Sequence, residues 1–257
     1  MRSLEIIRVE GEARRKVQEL LTEEITLKLY SGERRVATIL CSPADLEDLV
    51  RGFLFSLGVI ERPGQVQGLV VNRATWTAFL ELDPQVAEDL PVLSGVVGSG
   101  CGSLPPPELR ESPPPLPDGG PVFPASRVSA LMTEFARRSQ VHLRTGGVHS
   151  AALADEGGIR IFREDIGRHN AVDKVIGRGL SEGAEFGRCL LLSSGRISSE
   201  ILLKAVRCRV PVLVSRAAPT DRSVELARSF NLTLAGFARG PRMNLYAAPQ
   251  RIVTEGR

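Results

Sequence analysis

The feature that most constrains the fold is the alternation of short apolar runs with helical patterns in the last third of the chain. Three runs, 189–192, 210–214 and 232–237, are almost entirely apolar. Between them, residues 197–206 and 223–230 carry apolar side chains at helical spacing. Strands without a polar face must be covered on both sides, which is typical of parallel strands connected by helices. We therefore predict an α/β lobe with an open sheet.

The residues before these runs extend the same lobe. Ser126 can cap a helix whose apolar side chains share one face. These side chains are Val128, Leu131, Met132 and Phe135. Residues 148–154 and 159–163 have the pattern of two strands, joined by the turn-forming sequence Asp-Glu-Gly-Gly. A further helix is predicted near residues 171–178.

The first part of the chain predicts a small α+β lobe. Apolar residues alternate on both sides of the turn at Ser31-Gly32-Glu33, as in a β-hairpin covering residues 25–40. Ser42 followed by Pro43 is typical of a helix N-terminus, with serine as the cap and proline at the first position. Residues 68–83 predict further strands.

A segment rich in glycine and proline separates the two lobes. Nine of the 17 prolines lie between Pro105 and Pro124, and proline removes backbone donors and keeps a chain extended. We predict a linker or mobile loop here. The predicted domains are an N-terminal α+β lobe at 1–97, a loop at 98–124 and a C-terminal α/β domain at 125–257.

The four cysteines include no Cys-x-x-Cys pair, which argues against a disulfide framework and favours a reducing compartment. Cys41, Cys189 and Cys208 lie in apolar or helical runs, so we expect them to be buried and inert. Cys101 lies between glycines, where a bulky partner could approach its sulfur. A free cysteine is more commonly a small buried hydrophobe, and that alternative stays open for Cys101.

Neither the charge nor the apolar runs indicate a nucleic-acid or membrane partner. The net charge is only +3, from 33 basic and 30 acidic side chains, so charge alone does not predict nucleic-acid binding. No run of about 18 apolar residues is present, and the first residues lack the apolar core of a signal peptide. We expect a cytoplasmic protein that does not enter a membrane.

Four polar segments are candidates for binding an anion or a ribose. These segments are residues 146–151, the charged run 163–174, residues 193–200 and residues 237–246, and they lie at predicted strand ends or helix starts. Such positions offer free N–H groups and guanidinium forks. Helix capping or solvent exposure could equally explain individual side chains. The candidate binding residues are Phe237, Ala238, Arg239, Gly240, Pro241, Arg242, His149, Arg168, Ser194, Gly195 and Arg196.

Together these motifs resemble the formate dehydrogenase accessory sulfurtransferase family, called FdhD, across nearly the whole chain. The most specific of them is REDIGRHNAVDK at 163–174. The others are PADLEDL at 43–49 with GFL at 52–54, GGVH at 146–149, SGR at 194–196, APT at 218–220 and NLY at 244–246.

The resemblance implies a sulfurtransferase that takes persulfide sulfur from a cysteine desulfurase. The sulfur would pass to a bis-molybdopterin guanine dinucleotide cofactor, bound as substrate with molybdenum or tungsten, and would activate the catalytic subunit of formate dehydrogenase. It also implies a homodimer and a C-terminal domain with a cytidine-deaminase-like three-layer α/β fold. Cys101 would be the sulfur-carrying, catalytic residue.

The chain departs from the family pattern in the cysteine loop. The family loop reads Cys-Gly-x-Cys-Gly, whereas this chain has Gly100-Cys101-Gly102-Ser103-Leu104. Aligning the Gly-Cys-Gly core places Cys101 at the first family cysteine, and another register places it at the second. A cofactor-binding chaperone without sulfur transfer is therefore an alternative function.

Zinc-dependent deamination is a second alternative that the fold resemblance raises. Deaminases need H-x-E and P-C-x-x-C to hold the metal. Here His149-Ser150-Ala151 has no glutamate, and Cys189 and Cys208 are 19 positions apart. We predict that the protein holds no zinc.

Overall fold

The computed structural model describes residues 1–88, 90, 96–97 (backbone only) and 113–254 of the 257-residue chain. Cys101 and the glycine-rich sequence around it lie outside the described residues. So does the first part of the proline-rich segment.

The first part of the chain forms a hairpin and a five-stranded sheet. Its elements are β1 (Arg2–Glu10), β2 (Ala13–Leu21), β3 (Ile25–Ser31), β4 (Arg34–Cys41), α1 (Leu46–Ser56), β5 (Val66–Asn72), β6 (Thr77–Leu82), α2 (Pro84–Glu88) and β7 (Val96–Val97). The sheet order is β5-β6-β3-β4-β7, whereas β1 and β2 pair only with each other among the described strands. The predicted hairpin and the strands at 68–83 are confirmed. The hairpin β1–β2 was not predicted.

The second part forms a six-stranded sheet of order β10-β9-β11-β12-β13-β14. Its elements are β8 (Phe123–Pro124), α3 (Ala125–Arg138), α4 (Gln140–Thr145), β9 (His149–Asp155), β10 (Gly158–Asp165), α5 (Arg168–Glu182), β11 (Leu190–Ser193), α6 (Ser199–Arg207), β12 (Val212–Ser215), α7 (Asp221–Ser229), β13 (Thr233–Arg239), β14 (Arg242–Ala247) and β15 (Ile252–Val253). Strands β11, β12 and β13 are parallel. The predicted open α/β sheet is confirmed, and the whole chain is a mixed α/β fold with several sheets.

Both faces of the six-stranded sheet are buried, as the apolar runs require. Leu190 and Leu192 pack in one cluster with the predicted apolar face of α3. Leu191 and Leu213, which point to the opposite face, join a second cluster with α5, α6 and residues of the five-stranded sheet. This second cluster makes the core continuous between the two sheets. The domain bounds 1–97, 98–124 and 125–257 stay a prediction.

The predicted cap of the first helix is wrong. Helix α1 begins at Leu46, and the residue before it, Asp45, adopts a left-handed conformation with φ 52° and makes no capping bond. Ser42 is engaged elsewhere, because both its N–H and its hydroxyl donate to Asp165 Oδ2 at 3.0 and 2.9 Å. A buried carboxylate from the other sheet therefore engages the serine that the sequence assigned to the helix as its cap.

The described part of the proline-rich segment is not a free linker. Leu116 is buried, and its N–H donates to the carbonyl of Phe230 at 2.9 Å. Arg251 donates to the carbonyl of Pro117 at 2.5 Å, and Arg209 donates to the carbonyl of Pro114. Extended, proline-rich chain leaves carbonyl groups unpaired, so arginines can fix it without any strand pairing. The sequence predicted a mobile segment because it shows the proline content but not these distant partners.

Helices α1 and α5 cross at unusually close range because a glycine from each lies at the contact. A Cβ atom on Gly52 would lie 1.8 Å from the carbonyl oxygen of Asp173, and one on Gly177 would lie 1.9 Å from that of Asp48. Real Cβ atoms never approach backbone this closely. The contact that joins the two sheets therefore requires glycine at both positions.

We predict that Gly177→Ala or Gly52→Ala lowers the free energy of unfolding by about 3 kcal/mol or more, because the new methyl group forces the helices apart. Urea unfolding followed by circular dichroism measures this. Gly64→Ala is a matched control, since nothing lies within 4 Å of a Cβ there. Unfolding midpoints that match the control would contradict the close helix crossing.

Candidate functional site

The parallel strands end at one edge of the six-stranded sheet, and two buried serines shape the loops there. Ser193 Oγ accepts from the N–H of Gly195 at 3.2 Å, and Ser215 Oγ donates to the carbonyl of Gly195 at 2.6 Å. Gly195 is thus held by the ends of both β11 and β12. Ligands of open α/β sheets bind at this edge.

A cavity of about 480 Å³ opens at this edge, and we call it the first cavity. Backbone and polar side chains from several loops form its wall. Its lining residues are His142, Gly146, Gly147, Val148, His149, Ile166, Ser194, Arg216 and Arg239. The lining includes no carboxylate, so its charged groups favour an anionic ligand.

Two arginines carry the positive charge of the first cavity. Arg216 directly follows β12 and Arg239 is the last residue of β13. The Nε of Arg239 donates to the carbonyl oxygen of Arg216 at 3.1 Å, which orients its guanidinium. Within the described residues, neither side chain forms an ion pair with a carboxylate. Such paired guanidiniums suit phosphate groups.

Four predicted site residues come together beside these arginines. A Cβ on Gly195 would lie 2.9 Å from Cβ of Arg168 and 3.4 Å from Nδ1 of His149, so glycine permits this close packing. Ser194 Oγ accepts from the N–H of Ser150 at 2.9 Å and lies 3.4 Å from His149 Nδ1. Burial, followed by the nearby Arg168 charge, lowers the pKa of His149 below 6.5. This imidazole is therefore neutral at pH 7.

A second cavity of about 610 Å³ adjoins the first, between α3 and the β13–β14 hairpin. Its lining residues are Met132, Thr133, Ala136, Arg137, His142, Leu143, Arg216, Ala238, Arg239 and Gly240. The predicted residues Ala238, Arg239 and Gly240 therefore lie at a cavity.

The remaining predicted residues lie nearby but line neither cavity. Arg196, Phe237, Pro241 and Arg242 are exposed, and Arg168 is buried behind Gly195. Arg216 was missed by the sequence reasoning. Its position directly after the apolar run 210–214 could have indicated it, because the ends of adjacent parallel strands meet at one edge.

The charged run at 163–174 mainly connects elements of the fold. Lys174 is fully buried and its Nζ lies 2.6 Å from Asp165 Oδ2, and it also donates to Ser42 Oγ at 2.9 Å. Arg163 forms two bonds to Asp48 of α1 at 3.0 and 2.7 Å. Glu164 accepts the backbone N–H of His142, in the first turn of α4, at 3.1 Å, whereas α5, which follows the run, has no side-chain bond at its cap residue Gly167.

His169 occupies a half-buried position between the first turns of α5 and α6. Its Nε2 lies 3.3 Å from Ser198 Oγ and 3.2 Å from Glu200 Oε2. Burial, with smaller effects of the Lys204 and Arg168 charges, lowers its pKa to about 3. The ring is therefore uncharged at neutral pH and serves as a hydrogen-bonding group.

The three cysteines expected to be buried are buried. Burial raises the pKa of Cys41 to about 12 and that of Cys189 to about 11, and it also raises the pKa of Cys208. At neutral pH these thiols contain almost no nucleophilic thiolate. They are unsuited to accept sulfur.

The described ranges lack two further features, a metal-ligand cluster and a membrane-spanning helix. No group of three or more His, Cys, Asp or Glu side chains there could hold a metal ion. None of the helices there has the length and apolar character needed to cross a bilayer.

This arrangement defines an α/β protein with an arginine-lined cavity at the carboxyl edge of the parallel strands. The FdhD/NarQ family model matches residues 22–253, and the chain belongs to this family. The chain is 36% identical over 247 residues to the sulfur carrier protein FdhD of Halalkalibacterium halodurans, covering 92% of this chain and 90% of that protein. It is 38% identical over 262 residues to the FdhD of Anaeromyxobacter dehalogenans, covering 93% and 91%.

The fold also resembles a solved structure. A crystal structure from Desulfotalea psychrophila, of a protein described as a formate dehydrogenase accessory protein, superposes with a TM-score of 0.82. The two chains are 25% identical, and the match covers 98% of each.

We predict that His169→Gln reduces the loss of stability in acid. The unfolded chain binds a proton at His169 below about pH 6.5, whereas the folded protein resists protonation down to about 3, so stability falls as pH decreases through this window. Between pH 7.5 and 5, wild type should lose about 1–2 kcal/mol more than the variant. Urea unfolding at each pH measures this. If the free energy of unfolding of wild type and of the variant changed in parallel over that range, the uncharged ring would be contradicted.

Proposed function

We propose that this protein is a sulfur carrier that transfers persulfide sulfur from a cysteine desulfurase to a bis-molybdopterin guanine dinucleotide cofactor for formate dehydrogenase. The observation that carries the proposal is the two-arginine cavity in a chain that matches sulfur carrier proteins over more than 90% of its length. The cofactor, with molybdenum or tungsten, is the substrate. The transfer makes the protein a sulfurtransferase.

The first cavity fits the phosphates of such a substrate. Arg216 and Arg239 offer guanidiniums without carboxylate partners in the described residues, and Gly146 and Gly147 allow backbone to approach a ligand. The neutral imidazole of His149 can donate or accept one hydrogen bond without adding charge. These groups bind and orient; none of them is a nucleophile.

Cys101 is the residue proposed to carry the sulfur. Its thiolate attacks the outer sulfur of the desulfurase persulfide, a new S–S bond forms on Cys101, and the desulfurase cysteine leaves as a thiolate. The other three cysteines are buried with raised pKa values, which leaves Cys101 as the nucleophile.

The direction of β7 supports this assignment. Strand β7 ends at Val97, four positions before Cys101. It runs parallel to β4, with Val97 paired to Ile39. Strand β4 leads to Ser42, which bonds to Asp165, the sheet partner of His149. The strand before Cys101 thus runs toward the edge that holds the first cavity.

A cofactor-binding chaperone is the second candidate. It is favoured by one observation, the lack of a second cysteine in the segment Gly100–Leu104. Deamination has less support, because no described cluster supplies three metal ligands. The homodimer, the cytoplasmic location, the absence of zinc and the cytidine-deaminase-like layout of the C-terminal domain stay parts of the proposal.

We predict that Cys101→Ser abolishes labelling by a cysteine desulfurase charged with radioactive sulfur, because a hydroxyl does not form a persulfide. Cys189→Ser is the matched control and should be labelled as wild type. The same two variants are then tested for formate dehydrogenase activity in cells that lack the native protein.

Sulfur labelling and formate dehydrogenase activity together distinguish the sulfur carrier from the chaperone. Loss of labelling together with loss of formate dehydrogenase activity supports the carrier. Loss of labelling with full activity favours the chaperone, and undiminished labelling of Cys101→Ser would falsify the assignment of the sulfur to this residue.

A further inference from the structure

We propose that the β1–β2 hairpin is a docking arm for the catalytic subunit of formate dehydrogenase, which it holds at the mouth of the first cavity. The inference rests on the proposed function, in which formate dehydrogenase receives the cofactor. It gives an interaction surface to a part of the chain that belongs to neither of the two large sheets.

The hairpin is almost fully exposed. Strands β1 and β2 are nine residues long each, and among the described strands they pair only with each other. None of their side chains is buried. A two-stranded ribbon alone in water is marginally stable at best, so this hairpin would gain stability from a partner that covers it.

One face of the hairpin combines apolar and basic side chains. Ile7 and Val9 are 64% and 59% exposed, and they point to the same face because they lie two positions apart. Lys16 is paired across the strands with Ile7, and Arg14 with Val9. Lys16 forms an ion pair with Glu5 at 3.0 Å, whereas Arg14 has no ion pair with a carboxylate of the described ranges. This face therefore suits an apolar surface that carries a carboxylate.

The outer edges of the hairpin add backbone groups to the same surface. No described strand pairs with the outer edge of β1 or of β2. An open strand edge presents a row of N–H and C=O groups, to which an extended segment of another protein can add as a further strand. We expect the partner to supply such a segment.

The base of the hairpin lies at the rim of the first cavity. Thr22 directly follows β2, and its Oγ1 shares a hydrogen bond with Thr145 Oγ1 at 2.9 Å. The N–H of Gly147 donates to Thr145 Oγ1 at 3.1 Å, and a Cβ on Gly147 would lie 2.7 Å from Thr22 Oγ1. Gly147 lines the first cavity, so a protein bound to the hairpin lies beside that cavity.

This position selects one of the partners in the proposed function. The cysteine desulfurase must reach Cys101, whereas formate dehydrogenase must take up the cofactor bound in the first cavity. The hairpin therefore fits the enzyme that receives the cofactor.

Biolayer interferometry tests the arm, with the full chain immobilised and the catalytic subunit of formate dehydrogenase as the probe. Ile7→Glu and Val9→Glu remove apolar surface but place a carboxylate opposite Lys16 or Arg14, which favours the hairpin. Each should weaken binding about tenfold or more. Val70→Glu is the matched control and should bind like wild type, because Val70 is 67% exposed on β5, outside the hairpin.

Two further measurements on the same proteins separate the arm from other effects. Light scattering gives the mass in solution, which should be the same for the variants and for wild type. Labelling of Cys101 by the charged desulfurase should also be unchanged. Circular dichroism confirms that each variant is folded.

The inference is overturned if Ile7→Glu and Val9→Glu bind formate dehydrogenase as well as Val70→Glu does. It is also overturned if these two variants have a lower mass than wild type, because the hairpin would then dock on a second copy of this chain. Normal labelling of a wild-type protein that binds no formate dehydrogenase removes the docking arm and leaves the sulfur carrier. Binding that depends on the hairpin, in a protein that is not labelled, removes the sulfur carrier and leaves the arm.

Discussion

The buried ion pair between Lys174 and Asp165 is the interaction on which most of the structure depends. Both side chains are inaccessible to solvent, and the charged atoms lie 2.6 Å apart. Burying two charges costs several kcal/mol per ion, so such a pair is tolerated only when its remaining hydrogen-bonding groups have partners. Here Ser42, Gly167 and Asn170 all donate to the carboxylate. The ends of β4 and β10 and the first turn of α5 must therefore meet at one point.

The geometry of the candidate site depends on this junction of β4, β10 and α5. Asp165 is paired in the sheet with His149, and α5 begins three residues later with Arg168 packed on Gly195. The crossing of Gly52 and Gly177 brings α1 against the same helix at backbone distance. A shift of α5 would therefore have two effects at once. It would move the wall beside the first cavity, and it would separate the two sheets. Stability and binding geometry depend on one helix.

The sequence predicted the parts of this arrangement that follow from local periodicity. Strands β11 to β13 and the helices between them were found because burial on both faces leaves a continuous apolar run. The hairpin β1–β2 was missed because its side chains, including Ile7 and Val9, stay exposed and show no buried face. Ser42 and the segment after Pro113 were misjudged because their partners, Asp165 and Arg251, are more than 100 positions away. Arg216 was overlooked because no polar motif includes it. The order of the strands is what shows that it lies beside Arg239.

The attachment of the proline-rich segment has a consequence for the order of synthesis. Arg251 follows its partner Pro117 by 134 positions, and Phe123 pairs with Ile252 in a two-stranded sheet. During translation the six strands of the large sheet are synthesised before Arg251 and Ile252 are. The described segment from residue 113 onward therefore makes all of these contacts only after Arg251 and Ile252 have been synthesised.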